Sequence, residues 1–471
     1  MNIRNLFHIK NGFIVKNEKY FLYILMFILI LFRGWLITGI PAMYIYGPHD
    51  DLYFAKAATY LLHRQWLGPY NSMTLIKVPF FSFYLALSFL TNLPLMVNET
   101  VLYILACLVA FFSLSPLIRK PWWRLLFFTI IIFCPASLPT TWNIRVYREF
   151  VYFSLTLFVV AFSIGLLLRL GEKIKTILFW AVGLGLSMGA FMLTREEGIW
   201  IYPTIFLFLA YGIYMIWKKG PGQKWVRSGI LLVPIVLWYI PILIVSYLNY
   251  SYYGFWGISE QLDPNFNRVI NTLGRIKTDT WYPYVRVTRE GLEKAYAVSP
   301  LLAELKDQIN KYTNSWMPSS EGALSLKPDW YQKAYADHGT EIGAGHFTWL
   351  LRDAVNANGF YSHGKYPKAF FKSLAEQLEN ACNTGKLDCL PSLNIPMIGS
   401  IDKRQIPIIE RLFYEDTISV LNLDIVNLPT FDLTQWPEYN QYSIDFRYFE
   451  SLVYNPISIS NLKQDYTKLF R

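Results

Sequence analysis

The chain has 471 residues and a formal net charge of +10, and it is 54% hydrophobic, 18% aromatic and only 16% charged. That is more apolar and less charged than a soluble domain. The charge does not describe a nucleic-acid surface, because Lys and Arg flank apolar runs, where membrane topology puts them, and no basic groove motif occurs.

A helix rises ~1.5 Å per residue, so about 20 apolar residues cross the ~30 Å hydrocarbon core of a bilayer. In chain order, the apolar runs predict spans at residues 20–40, 101–118, 125–139, 150–168, 177–193, 199–217 and 229–248. The first is too long for a secretory-signal core and no small-residue cleavage site follows it, so it is expected to stay as an anchor. Residues 79–90 are too few to cross and end at Thr91, Asn92 and Pro94, which predicts an interfacial or re-entrant piece.

Seven crossings put the basic residues of the N-terminal tail, Arg4, Lys10, Lys16 and Lys19, on one side. Arg119, Lys120 and Arg124 join them there, as do Arg169, Lys173 and Lys175, and then Lys218, Lys219, Lys224 and Arg227. The short loops of the other side hold only Arg145, Arg148 and Arg195 beyond the first loop, so the basic side is predicted to be cytoplasmic. The expected fold is membrane all-α. About seven transmembrane helices, with juxtamembrane helices in the first outer loop, make up residues 1–249. A mainly helical or irregular extracytoplasmic domain makes up 250–471. The expected location is the plasma (inner) membrane, N-terminus cytoplasmic.

Candidate chemistry gathers on the outer side. Asp50 and Asp51 follow the first span; such carboxylates take a proton from a hydroxyl or hold a divalent cation, magnesium or manganese. Helical neighbours point about 100° apart, so one is expected to face a site and the other to brace the helix. The competing reading is an N-cap before the helical residues 52–62. Lys77 enters the 79–90 segment as either a phosphate contact or a headgroup anchor.

Arg145 and Arg148 share a face if helical, and Glu149 adjoins the next span. The guanidinium fork suits a lipid phosphate, although snorkelling at a helix end would use the same residues. Arg195, Glu196 and Glu197 sit between two apolar runs with scarcely any loop to solvate them. Charges so close to hydrocarbon face a cavity or one another, and an ion pair sealing a tight turn is the other account.

In the C-terminal part, Cys382 and Cys389 flank a short loop and are expected to form a disulfide in an outward location. Residues 301–312, 347–357 and 366–383 have helical amphipathic spacing. His338, Glu341 and His346 lack zinc-site spacing.

With the His49-Asp50-Asp51 motif, the long first outer loop, Lys77-Val78-Pro79 and the seven-span pattern, residues 20–250 resemble the GT-C glycosyltransferases. These multi-spanning enzymes take a sugar from a polyprenyl-phosphate carrier. The resemblance implies a sugar transfer at the outer face to an envelope glycan, lipid or protein acceptor. It implies Asp50 or Asp51 as base or metal ligand, and Arg145, Arg148 or Arg195 as carrier-phosphate ligands. Many family members have further spans after the seventh, whereas no later apolar run is read here, and Lys77-Val78-Pro79 departs from the His-Pro-Pro or Lys-Pro-Pro form of the protein O-mannosyltransferases and the lipid A aminoarabinose transferases. The alternative class is a polytopic transporter or lipid-linked-saccharide flippase, which is expected to show inverted repeats and broken helices.

Overall fold

The structure, a computed structural model, describes residues 3–37, 40, 42, 50–138, 145–219, 222–280, 282, 284–325, 329, 333, 341–343, 345–392 and 403–421. Among the described residues the regular elements are all helical, apart from one isolated bridge between Ile276 and Cys389. The chain divides into two compact units. The first takes in Met1–Gly68 and Val78–Ile244, the second Pro69–Lys77 and Val245–Ser419.

The first unit holds α1 (Ile3–Ile37), α2 (Asp51–Leu62), α3 (Phe80–Leu90), α4 (Leu95–Ser113), α5 (Pro121–Ile132), α6 (Glu149–Leu167), α7 (Ile174–Met192), α8 (Tyr202–Lys219), α9 (Lys224–Ile230) and most of α10 (Val233–Tyr253). Among the described residues, six segments are long and apolar enough to cross a membrane: Tyr20–Ile37, Leu95–Ser113, Glu149–Leu167, Ile174–Met192, Glu196–Lys218 and Lys224–Tyr253. Their outward faces are apolar as well. Leu207 is 71% exposed and Phe179 61%, which water would oppose and lipid favours.

The expected span at 125–139 is the exception. Its helix, α5, has 12 residues and is followed by a 3-10 turn at Pro135–Ser137. Pro135 lacks an N–H and bars the helical conformation from the residue before it; Cys134 is accordingly extended, with ψ 128°. Side-chain contacts nevertheless fix its direction. The Tyr103 hydroxyl at the middle of α4 donates to the Ile131 carbonyl late in α5, and Arg124 at the start of α5 lies 5.2 Å from the ring of Phe111 late in α4. Phe21 meets Trp122 and Phe32 meets Phe133, so α5 runs with α1 and against α4.

The same logic orders the rest. Tyr103 packs on Phe150 and Phe153 at the start of α6, whereas Arg169 just past its end bonds the Phe112 and Ser113 carbonyls at the end of α4, so these two helices are parallel. Helices α6 and α7 are antiparallel, with Tyr152 on Phe191 and Phe162 on Trp180. They approach closely because Gly165 faces the Trp180 ring and Gly183 the Phe162 ring, where a Cβ would come within 2.1 Å. The chain thus alternates direction from α4 through α8. Arg169 and Arg227 serve as more than loop charges: Arg169 caps orphan carbonyls of α4, and Arg227 bonds the Leu170 and Glu172 carbonyls of the α6–α7 turn at 2.7 Å.

The second unit contains α11 (Pro264–Leu273), α12 (Arg289–Tyr296), α13 (Pro300–Ala303), α14 (Lys306–Ser325), α15 (His346–Ala357), α16 (Lys365–Asn383) and α17 (Ile406–Leu421). Local caps set several starts: the Asp263 side chain accepts from the Asn265 and Phe266 amides, with Pro264 in the first turn of α11. The expected helices at 347–357 and 366–383 correspond to α15 and α16, and that at 301–312 is broken between α13 and α14. Their apolar faces build one core around Phe266, Ile270, Leu350, Phe371 and Leu374. Cys382 and Cys389 are joined by a disulfide, as expected, with Cα atoms 5.6 Å apart.

One boundary differs from the expected division at 249/250. Pro69–Lys77, from the first loop, belongs to the second unit. Ser72 donates to Asp353 at 2.9 Å, its carbonyl accepts from Arg352 at 2.8 Å, and Glu260 and Ser259 bond the Leu75 and Ile76 carbonyls. Tyr70 donates to Glu260, which also pairs with the buried Arg352.

Candidate functional site: a charged cluster at one end of the helices

Eight of the nine charged residues singled out from sequence come together in the first unit. The segment before α6 joins them. Arg145 reaches back to the start of α2, with Nη2 2.5 Å from Asp51 Oδ1 and 3.5 Å from Asp50 Oδ2. Arg148 reaches the α7–α8 turn, with Nη1 2.7 Å from Glu196 Oε2 and 3.3 Å from the Thr194 carbonyl. Glu149, the first residue of α6, takes Arg195 Nη1 on both carboxylate oxygens at 2.6 Å. Arg195 Nε completes the chain at 3.1 Å from Glu197 Oε2. Tyr147 sits between two guanidiniums, 4.9 Å from Arg145 and 5.9 Å from Arg148.

Burial separates bracing groups from reachable ones. Asp51 is fully buried, and Arg148 and Glu196 are almost so. Asp50 is 33% exposed, Glu197 43%, Glu149 30% and Arg195 24%. Asp50 does stand at the N-cap position of α2, but its side chain makes no capping bond there. Glu196 instead holds the lead into α3: its Oε1 accepts from the Val78 amide at 2.8 Å, and the Phe80 amide bonds the Leu193 carbonyl. Hence the turn at Thr194–Glu197 seals an ion pair and also holds α3.

The electrostatics favour full ionisation of the guanidiniums. Burial alone would lower Arg145, Arg148 and Arg195, but Asp51 raises the first, Glu196 the second, and Glu197 with Glu149 the third. Burial, reinforced by Asp50, pushes the Tyr147 hydroxyl up to about 12, so it keeps its proton at neutral pH. Three guanidiniums face five carboxylates in this cluster, which leaves it with an excess of acid.

Lys77, the ninth residue, belongs to the second unit, where it is buried and its Nζ lies 5.5 Å from the Trp349 ring. His49 and His338 lie outside the described residues. A divalent cation fits Asp50 and Asp51 poorly. Such ions take about six or more oxygen ligands, Arg145 already pairs with both carboxylates, and no third His, Cys, Asp or Glu completes a metal-binding group among the described residues.

Two buried charges within the long helices were not anticipated from sequence. Arg33 of α1 donates to the Ser137 carbonyl beside the Tyr103 ring. Glu99 of α4 is fully buried. The signal for both is an ionisable residue inside an apolar run. The expected span begins at residue 101, whereas α4 begins at Leu95, so Glu99 falls just ahead of the expected span.

The chain is a membrane protein with a helical second unit and an ion-pair cluster where the start of α2, the start of α6 and the α7–α8 turn meet. Comparison with protein-family models, curated proteins and solved structures finds no match to it.

Proposed function

We propose that the protein is a GT-C-type membrane glycosyltransferase that moves a sugar from a polyprenyl-phosphate carrier to an envelope glycan, lipid or protein acceptor at the outer face. The observation that carries this reading is the joining of Asp50, Asp51, Arg145, Arg148, Glu149, Arg195, Glu196 and Glu197 into one cluster. A carboxylate for an acceptor hydroxyl and a guanidinium for a phosphate thereby lie at the same end of the helices.

In the reaction, the exposed Asp50 carboxylate takes the acceptor proton while the acceptor oxygen bonds the anomeric carbon with inversion. The bond from that carbon to the carrier phosphate breaks, and its electron pair leaves with the phosphate. Arg195, the most exposed of the three guanidiniums, is the one a phosphate oxygen reaches, by displacing Glu149 or Glu197. Asp51 and Arg145 hold the start of α2, and Arg148 and Glu196 hold α3. No step is assigned to a metal ion, since the donor set does not fit one.

The topology belongs to the same proposal. Counting α5 as a full transit gives seven crossings, which its direction against α4 and along α1 supports. The basic residues Arg119, Lys120, Arg124, Arg169, Lys173, Lys175, Lys218, Lys219, Lys224 and Arg227 then lie in the cytoplasm, and the cluster and the second unit outside. The test is to incubate the purified protein with polyprenyl-phosphate sugars and an acceptor extract, and to follow release of polyprenyl phosphate. Release is expected; its absence with every donor tried overturns the reading.

The transporter or flippase reading has one specific observation in its favour. The last long segment is interrupted between α9 and α10, and Pro241 lies inside α10. Substrate flux in proteoliposomes without phosphate release would select it.

A further inference from the structure

The α3–α4 hairpin buries a carboxyl group that the charged cluster does not use. Glu99 lies in the second turn of α4, is 0% exposed, and neither of its oxygens has a hydrogen-bond partner among the described residues. From α3 the buried Tyr84 hydroxyl acts on it electrostatically, with Ser88 one helical turn further on. Phe81 stacks beside Tyr84 and meets Phe54, over which Arg148 lies.

Among the described residues, the elements packed against α4 bring no compensating charge. Arg33 from α1 is engaged by Ser137 and the Tyr103 ring, Arg124 from α5 lies over Phe111 at the far end, and Glu149 of α6 is taken by Arg195. Tyr152 of α6 stacks on Phe191; Tyr103 and Cys107 lie on α4 itself. An ionised carboxylate with neither water nor a donor is strongly disfavoured in such a place, and intramembrane acids of this kind commonly carry protons.

We infer that Glu99 is a proton-binding site inside the membrane part of the protein, holding its carboxyl neutral beside Tyr84 while α3 is packed on α4, and able to exchange that proton only when the hairpin opens. The ligand is the proton itself, and α3 is the gate. α3 is held at one end by Glu196 and Leu193, at the amides of Val78 and Phe80. The inference does not depend on sugar transfer and stands or falls separately from it.

A lipid-soluble carbodiimide tests it, because such a reagent adds to protonated carboxyls. The acid O–H adds across one C=N bond to give an O-acylisourea, and an oxygen-to-nitrogen acyl shift leaves a stable N-acylurea with no atom lost. The full-length protein in detergent, treated with dicyclohexylcarbodiimide near neutral pH and digested, is expected to carry the adduct on the Glu99 peptide. The water-soluble reagent with a polar amine should instead mark Asp50 and Glu197. The Glu99→Gln variant should keep its elution position and melting temperature and lose the adduct. No adduct on Glu99 at any pH from acid to neutral overturns the inference, as does equal marking of Glu99 by the water-soluble reagent, which would mean that the carboxyl is open to water.

Discussion

Asp50 and Asp51 are chain neighbours with opposite surroundings, and substitution should separate them. Asp51 is fully buried 2.5 Å from Arg145, whereas Asp50 is a third exposed and 3.5 Å away. Asp50→Asn is therefore expected to lower sugar transfer by about 10²–10⁴-fold, the usual cost of a lost general base, with little change in melting temperature. Asp51→Asn should destabilise instead, by leaving the Arg145 guanidinium without its nearest partner. Full activity in Asp50→Asn would remove that carboxylate from the reaction. At Arg195, a change to Lys keeps the charge but not the fork, and a hydrogen bond to a charged group contributes about 1.5–3 kcal/mol. Turnover should fall about tenfold or more; an unchanged rate would show that the donor phosphate does not rest there. Asp353 offers a pH test in the second unit. Burial raises its carboxyl above the usual aspartate value, against the pull of the Ser72 and Trp316 bonds and of Arg352. A raised folded-state value contributes stability that is fully present below the unfolded value and is lost as pH rises through the folded one. The melting temperature of wild type relative to Asp353→Asn should accordingly decline as pH rises from strongly acid toward neutral. A difference that is flat with pH would refute this.

At the scale of elements, the Arg148–Glu196 pair links the start of α6, the α7–α8 turn and the lead into α3. Removing one partner of a buried pair costs about 3–5 kcal/mol, and here the Val78 amide loses its acceptor too. Glu196→Ala should therefore lower the melting temperature sharply, and hydrogen exchange should speed up in α3 before it does in α6 or α7. Uniform loss of protection would mean that the contact does not hold α3 in particular. This linkage could not be read from sequence. Hydropathy shows how long an apolar run is and the spacing of charges shows which loops carry them, so most long helices and the Thr194–Glu197 turn were legible. Which guanidinium meets which carboxylate depends on helix packing, set by contacts such as Gly165 on Trp180 that leave no periodic trace. The same limit explains α5: an apolar run from 125 to 139 has nearly the right length, but Pro135 divides it. It also explains Pro69–Lys77, whose polar bonds to Asp353, Arg352 and Ser259 have no sequence pattern.

For the whole molecule, the decisive question is sidedness, and two independent physical arguments bear on it. Alternation of helix direction sends Arg119, Lys120, Lys173, Lys175, Lys218 and Lys224 to the end of the first unit opposite the ion-pair cluster, and lysine and arginine are retained on the cytoplasmic side of short loops. The Cys382–Cys389 disulfide in the second unit calls for an oxidising compartment. The proposed topology, with the second unit outside, agrees with both. If the argument holds, single cysteines placed next to Lys218 should resist a membrane-impermeant maleimide in intact cells and react after permeabilisation, whereas cysteines placed on exposed Lys386 or Asp388 should react at once. Peptides from protein purified without reductant should contain Cys382 and Cys389 joined, and two free thiols would remove the second argument while leaving the first. Labelling beside Lys218 in intact cells would reverse the molecule. The cluster around Asp50 and Arg195 would then face the cytoplasm, where an outer-leaflet carrier sugar could not reach it, so the proposed reaction and the proposed topology would fall together.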